Sequence, residues 1–373
     1  MRSNVAYWTI GYVFAIVFLT LATYRLVEMY RVFNPNLDQL TSEKAADQYL
    51  HDYWVKEHIS KDKIPLLVPA GIFVDSLRWI DAQSFYISGY VWQKYTEASR
   101  QLAKPGFTMP DAVELEVRQA YNVHVGADEV VGWYFGGKFN QGFDYSKFPL
   151  DDKTVKIRIW HGDFDQRVLL KPDFHSYDHT GLHEVFGLSP EIVLGGYRLL
   201  DTYFLYQHSH YDTNLGLPSF ARKLFPELTF NIVLKRDVSN VLIIHLTPLC
   251  VVIFLCFLLL MSITFDERKR QIFHFRYLEM ITVSAALFFA VILAHVHLRE
   301  SITWQGYAYF EYFYLITYAS ILYMTADAFL VAHDDLSRFR FYRIIQYRDN
   351  LVPKVLFFPL IALAALVMTL ACF

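Results

Sequence analysis

The sequence predicts an all-β, immunoglobulin-like sandwich outside the cytoplasm, carried by an α-helical membrane bundle. Three observations lead there. One apolar run opens the chain, roughly two hundred residues of mixed polar sequence follow, and four more apolar runs close it. Each run approaches the ~20 apolar residues that a membrane span requires. Inside the polar stretch, apolar and polar residues alternate in short segments, the mark of half-buried strands.

Composition agrees. The 373 residues are 54% hydrophobic and 17% aromatic, values that suit a half-embedded protein. A net charge of −3 argues against a nucleic-acid partner, because phosphate binding needs a basic face. The three cysteines, Cys250, Cys256 and Cys372, all fall in the C-terminal apolar runs. No disulfide or thiolate metal site is therefore available to the polar domain, and neither a cofactor nor a resident metal is expected.

Taken in order, the first run is Val5 to Tyr24. Arg2 supplies the positive start of a signal peptide, but the apolar core exceeds the usual ~7–15 residues and no small-x-small cleavage site follows. A retained signal-anchor helix over residues 1–30 is the expectation. Residues 31–63 form a linker in which Leu37, Leu40, Ala45, Tyr49 and Trp54 are spaced as on an amphipathic helix. The β domain is expected over residues 64–238. Its clearest strands are 84–95, rich in β-branched and aromatic residues, then 154–160 and 228–235, both strictly alternating. The membrane domain, residues 239–373, contains runs near Val241–Ile263, Tyr277–Val296, Tyr307–Val331 and Val355–Phe373. Arg268, Lys269, Arg270 and Arg276 lie between the second and third runs, and Arg338, Arg340, Arg343, Arg348 and Lys354 between the fourth and fifth. Short basic loops face the cytoplasm, which puts residues 31–238 outside it and the N-terminus inside.

Four segments carry a family resemblance. GIFVDSLRWIDAQSFYISGYVWQKY (71–95), TMPDAVE (108–114), FDYSKFPLDDKTVKIRIW (143–160) and LTFNIVLKRDVSNVLIIHLTPLCVVIFL (228–255) occur in the order of motifs in the pentameric ligand-gated ion channels, the Cys-loop receptor superfamily. The chain resembles the cysteine-free prokaryotic branch, with Thr108 where tryptophan is expected and an additional N-terminal span. The likeness covers about residues 64–373.

The resemblance implies a homo-oligomer, a pentamer, that sits in membrane lipid, binds a small-molecule effector in the outer sandwich and passes an inorganic ion through a central pore. Asp81, Pro149, Asp151 and Arg236 would couple the two domains. Glu279, Met280, Ser284, Leu287, Val291 and Leu298 would face the pore, with Leu287 as a hydrophobic gate. Trp92, Trp133, Trp160, Tyr203, Tyr206 and Tyr211 would line the ligand site, an aromatic set suited to cationic amines. The apolar pore helix, with bulky Phe288 and Phe289, keeps a second reading open: a non-conducting sensor or an assembly subunit of a membrane complex on the same fold.

Other constellations were weighed. His175, His179 and His183 with Asp173, Asp178 and Glu184 offer metal-type spacing if a helix forms there, or are ordinary loop histidines. Histidine is the side chain suited to sensing pH, so His295 and His297 are candidates for pH sensitivity or are simply interfacial residues. Glu311 and Asp327, in the fourth run, are intramembrane carboxylates placed near its ends, where water is expected to reach them. No catalytic signature appears, and the chain is not expected to be an enzyme.

Overall fold

The computed structural model describes residues 2–31, 38–60, 64–163, 168–181, 184–214, 216, 225–272, 276–302, 306–333 and 342–373. The chain divides into two compact units. One comprises residues 34–143 and 152–236. The other comprises residues 1–33, 144–151 and 237–373.

Among the described residues the first unit has nine strands: β1 (Leu66–Trp79), β2 (Ser84–Thr96), β3 (Phe107–Thr108), β4 (Ala112–Val125), β5 (Asp128–Asn140), β6 (Asp152–His161), β7 (Val168–Pro172), β8 (Tyr197–Gln207) and β9 (Glu227–Arg236). They form a five-stranded sheet, β4-β5-β2-β1-β7, and a four-stranded sheet, β3-β6-β9-β8. All pairings are antiparallel except β1 with β7, so the larger sheet is mixed. Alternation decides which residues meet between the sheets. Phe85, Ile87 and Val91 of β2, Phe135 and Phe139 of β5, and Phe230 and Ile232 of β9 are all buried there.

The sequence pattern reads β9 as half-buried, but both of its faces are buried from Glu227 to Lys235. Its polar positions are retained because each finds partners: the Thr229 hydroxyl donates to Leu205 O, and Asn231 Nδ2 lies 3.2 Å from Thr229 Oγ1.

The linker helix forms as the spacing indicates. Helix α2 (Glu43–Lys56) starts where Ser42 Oγ accepts the Ala45 N–H, an N-cap. It buries Ala46 and Leu50, stacks Tyr49 on Tyr206 at 5.3 Å and sets Trp54 edge-on to Phe225 at 5.7 Å. A short helix, α3 (Glu97–Leu102), follows β2.

The second unit contains α1 (Arg2–Arg31), α4 (Val238–Val241), α5 (Thr247–Ser262), α6 (Glu267–Ile272), α7 (Tyr277–Ile302), α8 (Glu311–Ala332), α9 (Tyr342–Gln346) and α10 (Leu351–Cys372). A wide π-type turn, Leu242–Leu246, joins α4 to α5 just before Pro248. Such a turn relieves the clash between a proline ring and the carbonyl four residues back. Five of the helical segments are long and apolar enough to cross a membrane, and the protein is membrane-embedded. The fourth span begins at Glu311, four residues later than the hydropathy indicates.

Helix α1 packs along α10 through small residues, with Ala15 and Ala22 buried. At Gly11 the backbones approach so closely that a Cβ would sit 2.8 Å from Val355 Cγ1 and 3.0 Å from Val355 O. Pro359, four residues further on, has no N–H to bond that carbonyl. Arg348 Nη1 donates to Asn4 Oδ1 at one end of α1, and Arg25 Nη2 to Phe373 O at the other.

Arg348, Asp349 and Asn350 are all left-handed, with φ of 52°, 61° and 63°. Three such residues in succession fan their side chains onto three different elements. Arg348 reaches α1. Asp349 accepts from Thr264 Oγ1 and Phe265 N in the α5–α6 connection and from Lys269 Nζ on α6. Asn350 Nδ2 donates to Asp327 on α8 at 2.5 Å. Burial works against the Asp349 carboxylate, but Lys269 and Thr264 outweigh it and hold its pKa down, to about 2 from 3.8.

A carboxyl whose folded pKa is depressed stabilises above its unfolded value and loses that contribution as pH falls through the folded one. Thermal melts in detergent should show Asp349→Asn less stable than wild type by about 1–3 kcal/mol at pH 7. The gap should close as pH drops from 3.8 toward 2, the interval over which the wild-type contribution disappears. Equal melting temperatures at pH 7 would contradict this account.

Candidate functional site

A dense polar cluster in the sheet unit lies where β6, β9 and the segment after β8 converge. Alternation along β6 puts Arg158 and Trp160 on one face, and the β6–β9 and β8–β9 registers bring Glu227 and Gln207 beside them. Glu227 is fully buried. Tyr211 Oη donates to its Oε1 at 2.5 Å, Ser209 Oγ donates to Oε2 at 3.0 Å, and Arg158 Nη1 lies 3.3 Å away. The turn between β3 and β4 adds Asp111, which takes a two-pronged grip from Arg158 through Nε, at 2.7 Å, and Nη2.

The electrostatics follow from these contacts. The Asp111 hydrogen bond, opposed by burial, pushes the Arg158 guanidinium even further toward permanent charge. Burial first, then the Glu227 carboxylate, pushes the Tyr211 hydroxyl up to about 12. Two carboxylates against one guanidinium leave the cluster with a net negative charge. The ring of Trp160 stands edge-on to Tyr211 at 5.9 Å, so aromatic surface borders the charge. A cavity of about 280 Å³ opens alongside, lined by Asp111, Lys156, Arg158, Gln207 and Gln141. Its walls offer guanidinium, ammonium and amide donors beside carboxylate and amide acceptors, which suits a small polar molecule better than an apolar one.

Of the six aromatic residues the sequence nominates for a ligand site, the structure brings two together here, Trp160 and Tyr211. Trp133 is buried in the core against Phe107. Tyr203 is buried too, and Tyr206 stacks on Tyr49 while its hydroxyl bonds Leu170 O. Trp92 lies elsewhere and donates to Asp173, which also pairs with Lys94 at 2.8 Å. Burial opposes the Asp173 charge, but Lys94, Ser176 and Trp92 together hold its pKa down. Sequence reading passed over Arg158, Glu227 and Ser209. Asp111 was in view, as the acid of the Pro-Asp pair, but without a role.

The coupling residues fall in both units. Asp81 folds onto its own turn and accepts from Gln83 N, Ser84 N and Ser84 Oγ. Arg236 lies over the ring of Tyr197 at 4.8 Å. Asp151 and Pro149 belong to the helical unit with residues 144–151, and Asp151 is buried. The Phe148–Pro149 peptide is cis. This segment packs against the start of α8 and the end of α10. Tyr309 N donates to Ser146 O, Phe310 N donates to Phe148 O, and Lys147 lies over the Phe373 ring.

Within the chain, the residues named for the pore fall mostly on the packed side of α7. Met280, Ser284, Val291 and Leu298 are the buried stripe of α7. The Ser284 hydroxyl lies 2.7 Å from that of Thr325 on α8, so this stripe faces the helix's own chain. Leu287 is half-buried on the same side, and Glu279 is exposed beside Arg276. The free face carries Leu278, Thr282, Phe289, Leu293 and Val296. Hydropathy could not separate the faces because α7 is apolar nearly all round.

Glu311 and Asp327 are also corrected: both are buried rather than reached by water. Glu311 receives Arg299 Nη1 at 2.7 and 2.8 Å and lies 3.7 Å from His295. His295 stacks on Tyr314 at 4.8 Å, and the Tyr314 hydroxyl is 3.3 Å from His245. His179 lies outside any helix and His183 outside the described residues. Among the described residues no group of three His, Cys, Asp or Glu side chains is arranged to hold a metal.

No family model fits the chain, and no curated protein matches its sequence.

Removing one partner of a buried ion pair costs more than removing both. Arg158→Leu should lower stability by about 3–5 kcal/mol because Glu227 is left buried without its cation. The double variant Arg158→Leu with Glu227→Leu should recover most of that loss. Denaturant titration of the three proteins checks this, and a double variant no better than the single would refute it.

Proposed function

We propose that this chain is a subunit of a ligand-gated ion channel of the pentameric type. On this reading the sheet unit is an immunoglobulin-like sandwich outside the cytoplasm, α5, α7, α8 and α10 form the channel bundle, and α1 is an additional peripheral helix. A small polar effector held at the Arg158–Glu227–Tyr211 cluster biases a pore lined by α7 from five copies. The observation that carries the reading is the segment 144–151. It connects two strands of the sheet unit, yet it packs with the helical unit, on the N-terminal turn of α8 and against Phe373. A strand connection held by the membrane helices is what transmission of a binding event requires, since a coupled element must take part in both states.

A second reading has its own support. The face of α7 left free within the chain is apolar, with Phe289 and Leu293 each 67% exposed. Rings of such side chains exclude water. A non-conducting sensor or assembly subunit would present the same face to protein or lipid.

Imaging of the detergent-solubilised protein along the membrane axis separates the two. Five-fold particles with α7 around a central passage support the channel. A ring without a passage, or a monomer, overturns it. In planar bilayers, Phe289→Ala should raise unitary conductance or open probability over wild type by at least severalfold, because a dewetted constriction is relieved. Silence in both proteins under voltage would favour the non-conducting reading.

A further inference from the structure

The face of the five-stranded sheet turned away from the four-stranded sheet carries aromatic residues that the flap cluster does not use. On β2, Phe85, Ile87 and Val91 point into the core, which leaves Tyr86, Tyr90 and Trp92 on the opposite face. The registers extend that face into rows. Trp92 is flanked by Gly71 on β1 and Gly132 on β5, and Gly132 is paired in turn with Tyr121 on β4. In the next row Tyr90 pairs with Tyr134, and their rings meet edge-to-face at 5.2 Å.

The glycines set the attitude of the rings. A Cβ at Gly132 would sit 2.1 Å from Tyr121 Cζ, and one at Gly71 would sit 2.1 Å from Trp92 Cζ2. Both rings therefore lie down on glycine backbone; Trp92 also meets Tyr177 at 5.5 Å and donates to Asp173, while Tyr121 stays the more exposed of the two. Cross-strand aromatic–glycine pairs of this kind also repair the sheet where a side chain is missing. Repair alone does not account for five aromatics gathered on one face, with Tyr90 and Tyr121 still 37% and 38% exposed.

The chemistry of the face selects among ligands. Flat ring faces with hydroxyl edges stack on a planar apolar surface and hydrogen-bond at its rim. A pyranose ring has both features, C–H groups on one face and hydroxyls around it. An organic cation would call for an unbalanced negative charge, and a polyanion for the reverse. Here Glu114 pairs with Lys138 across β4 and β5, while Glu116 and Arg118 alternate with them along β4. Arg78 and Arg118 lie over the rings of Tyr86 and Tyr134, so the face mixes charges of both signs with no block of one, which favours an uncharged ligand. The array is also open and flat rather than a closed pocket, which suits a chain of rings better than a single small molecule. We propose that this face binds a neutral oligosaccharide, its rings stacked on Tyr121, Tyr90 and Trp92. This does not depend on the channel reading.

The test is calorimetric titration of the full chain, in a detergent without a sugar headgroup, with two uncharged β-linked probes, cellohexaose and chitohexaose. Saturable binding of at least one is expected. Tyr121→Ala should weaken it about tenfold or more, the loss of one stacked ring. Tyr121→Phe should retain it, and so should Tyr211→Phe, which alters only the flap cluster. Tyr90→Ala provides a second lesion should Tyr121→Ala melt early. No saturable heat with either probe, or heats unchanged in both alanine variants, would overturn the proposal. So would rapid disulfide dimerisation of Tyr121→Cys in native membranes, because a second copy of the chain would then cover the face.

Discussion

A carboxylate taken out of water must be given a cation or several donors, and both units are organised around that constraint. Glu227 lies at the end of β9 with no exposure, and Arg158 answers it from β6. The same guanidinium holds Asp111, so one side chain fixes the β3–β4 turn, β6 and β9 together. Asp173 is answered by Lys94, Glu311 by Arg299 and Asp349 by Lys269. Each pair joins parts of the chain that hydrophobic packing alone would leave free to slide. Burial makes the pairing obligatory, and the geometry of the pair then fixes the register.

The Arg348–Asp349–Asn350 turn applies the constraint most economically. Three consecutive left-handed residues are unfavourable for side chains with a Cβ. They are held there because each side chain has a separate destination: α1, the α5–α6 connection and α8. The charged loop that the positive-inside rule uses only to orient the chain is therefore also the joint of the helical unit.

Much of the architecture could be read from residue order. Strands 84–95 and 154–160 lie within β2 and β6, because period-two alternation reports directly on a half-buried pleat. The linker spacing around Tyr49 and Trp54 became α2, seated by those same rings. The five apolar runs became five long helices for an equally direct reason: length and hydropathy are local properties. The candidate site was less legible. Trp160 and Tyr211 were visible as members of an aromatic set, but Arg158 looked like one polar position in an alternating strand. Glu227 looked like a strand boundary. Neither residue advertises its partner, since they are 69 positions apart and meet only through the β6–β9 pairing.

By itself the sequence determined the spans, the order of polar and apolar blocks, the alternating strands and the basic loops, all of which depend on neighbours within a few residues. Only the tertiary structure decided which face of α7 is free, because a helix apolar on every side carries no record of its contacts until Thr325 meets Ser284. It also decided that Glu311 and Asp327 are buried, that residues 144–151 join the helices, and that Trp92 and Tyr121 lie flat on glycines two strands apart in the sheet. Those outcomes rest on long-range packing, where one residue's environment is set by others far away in the chain.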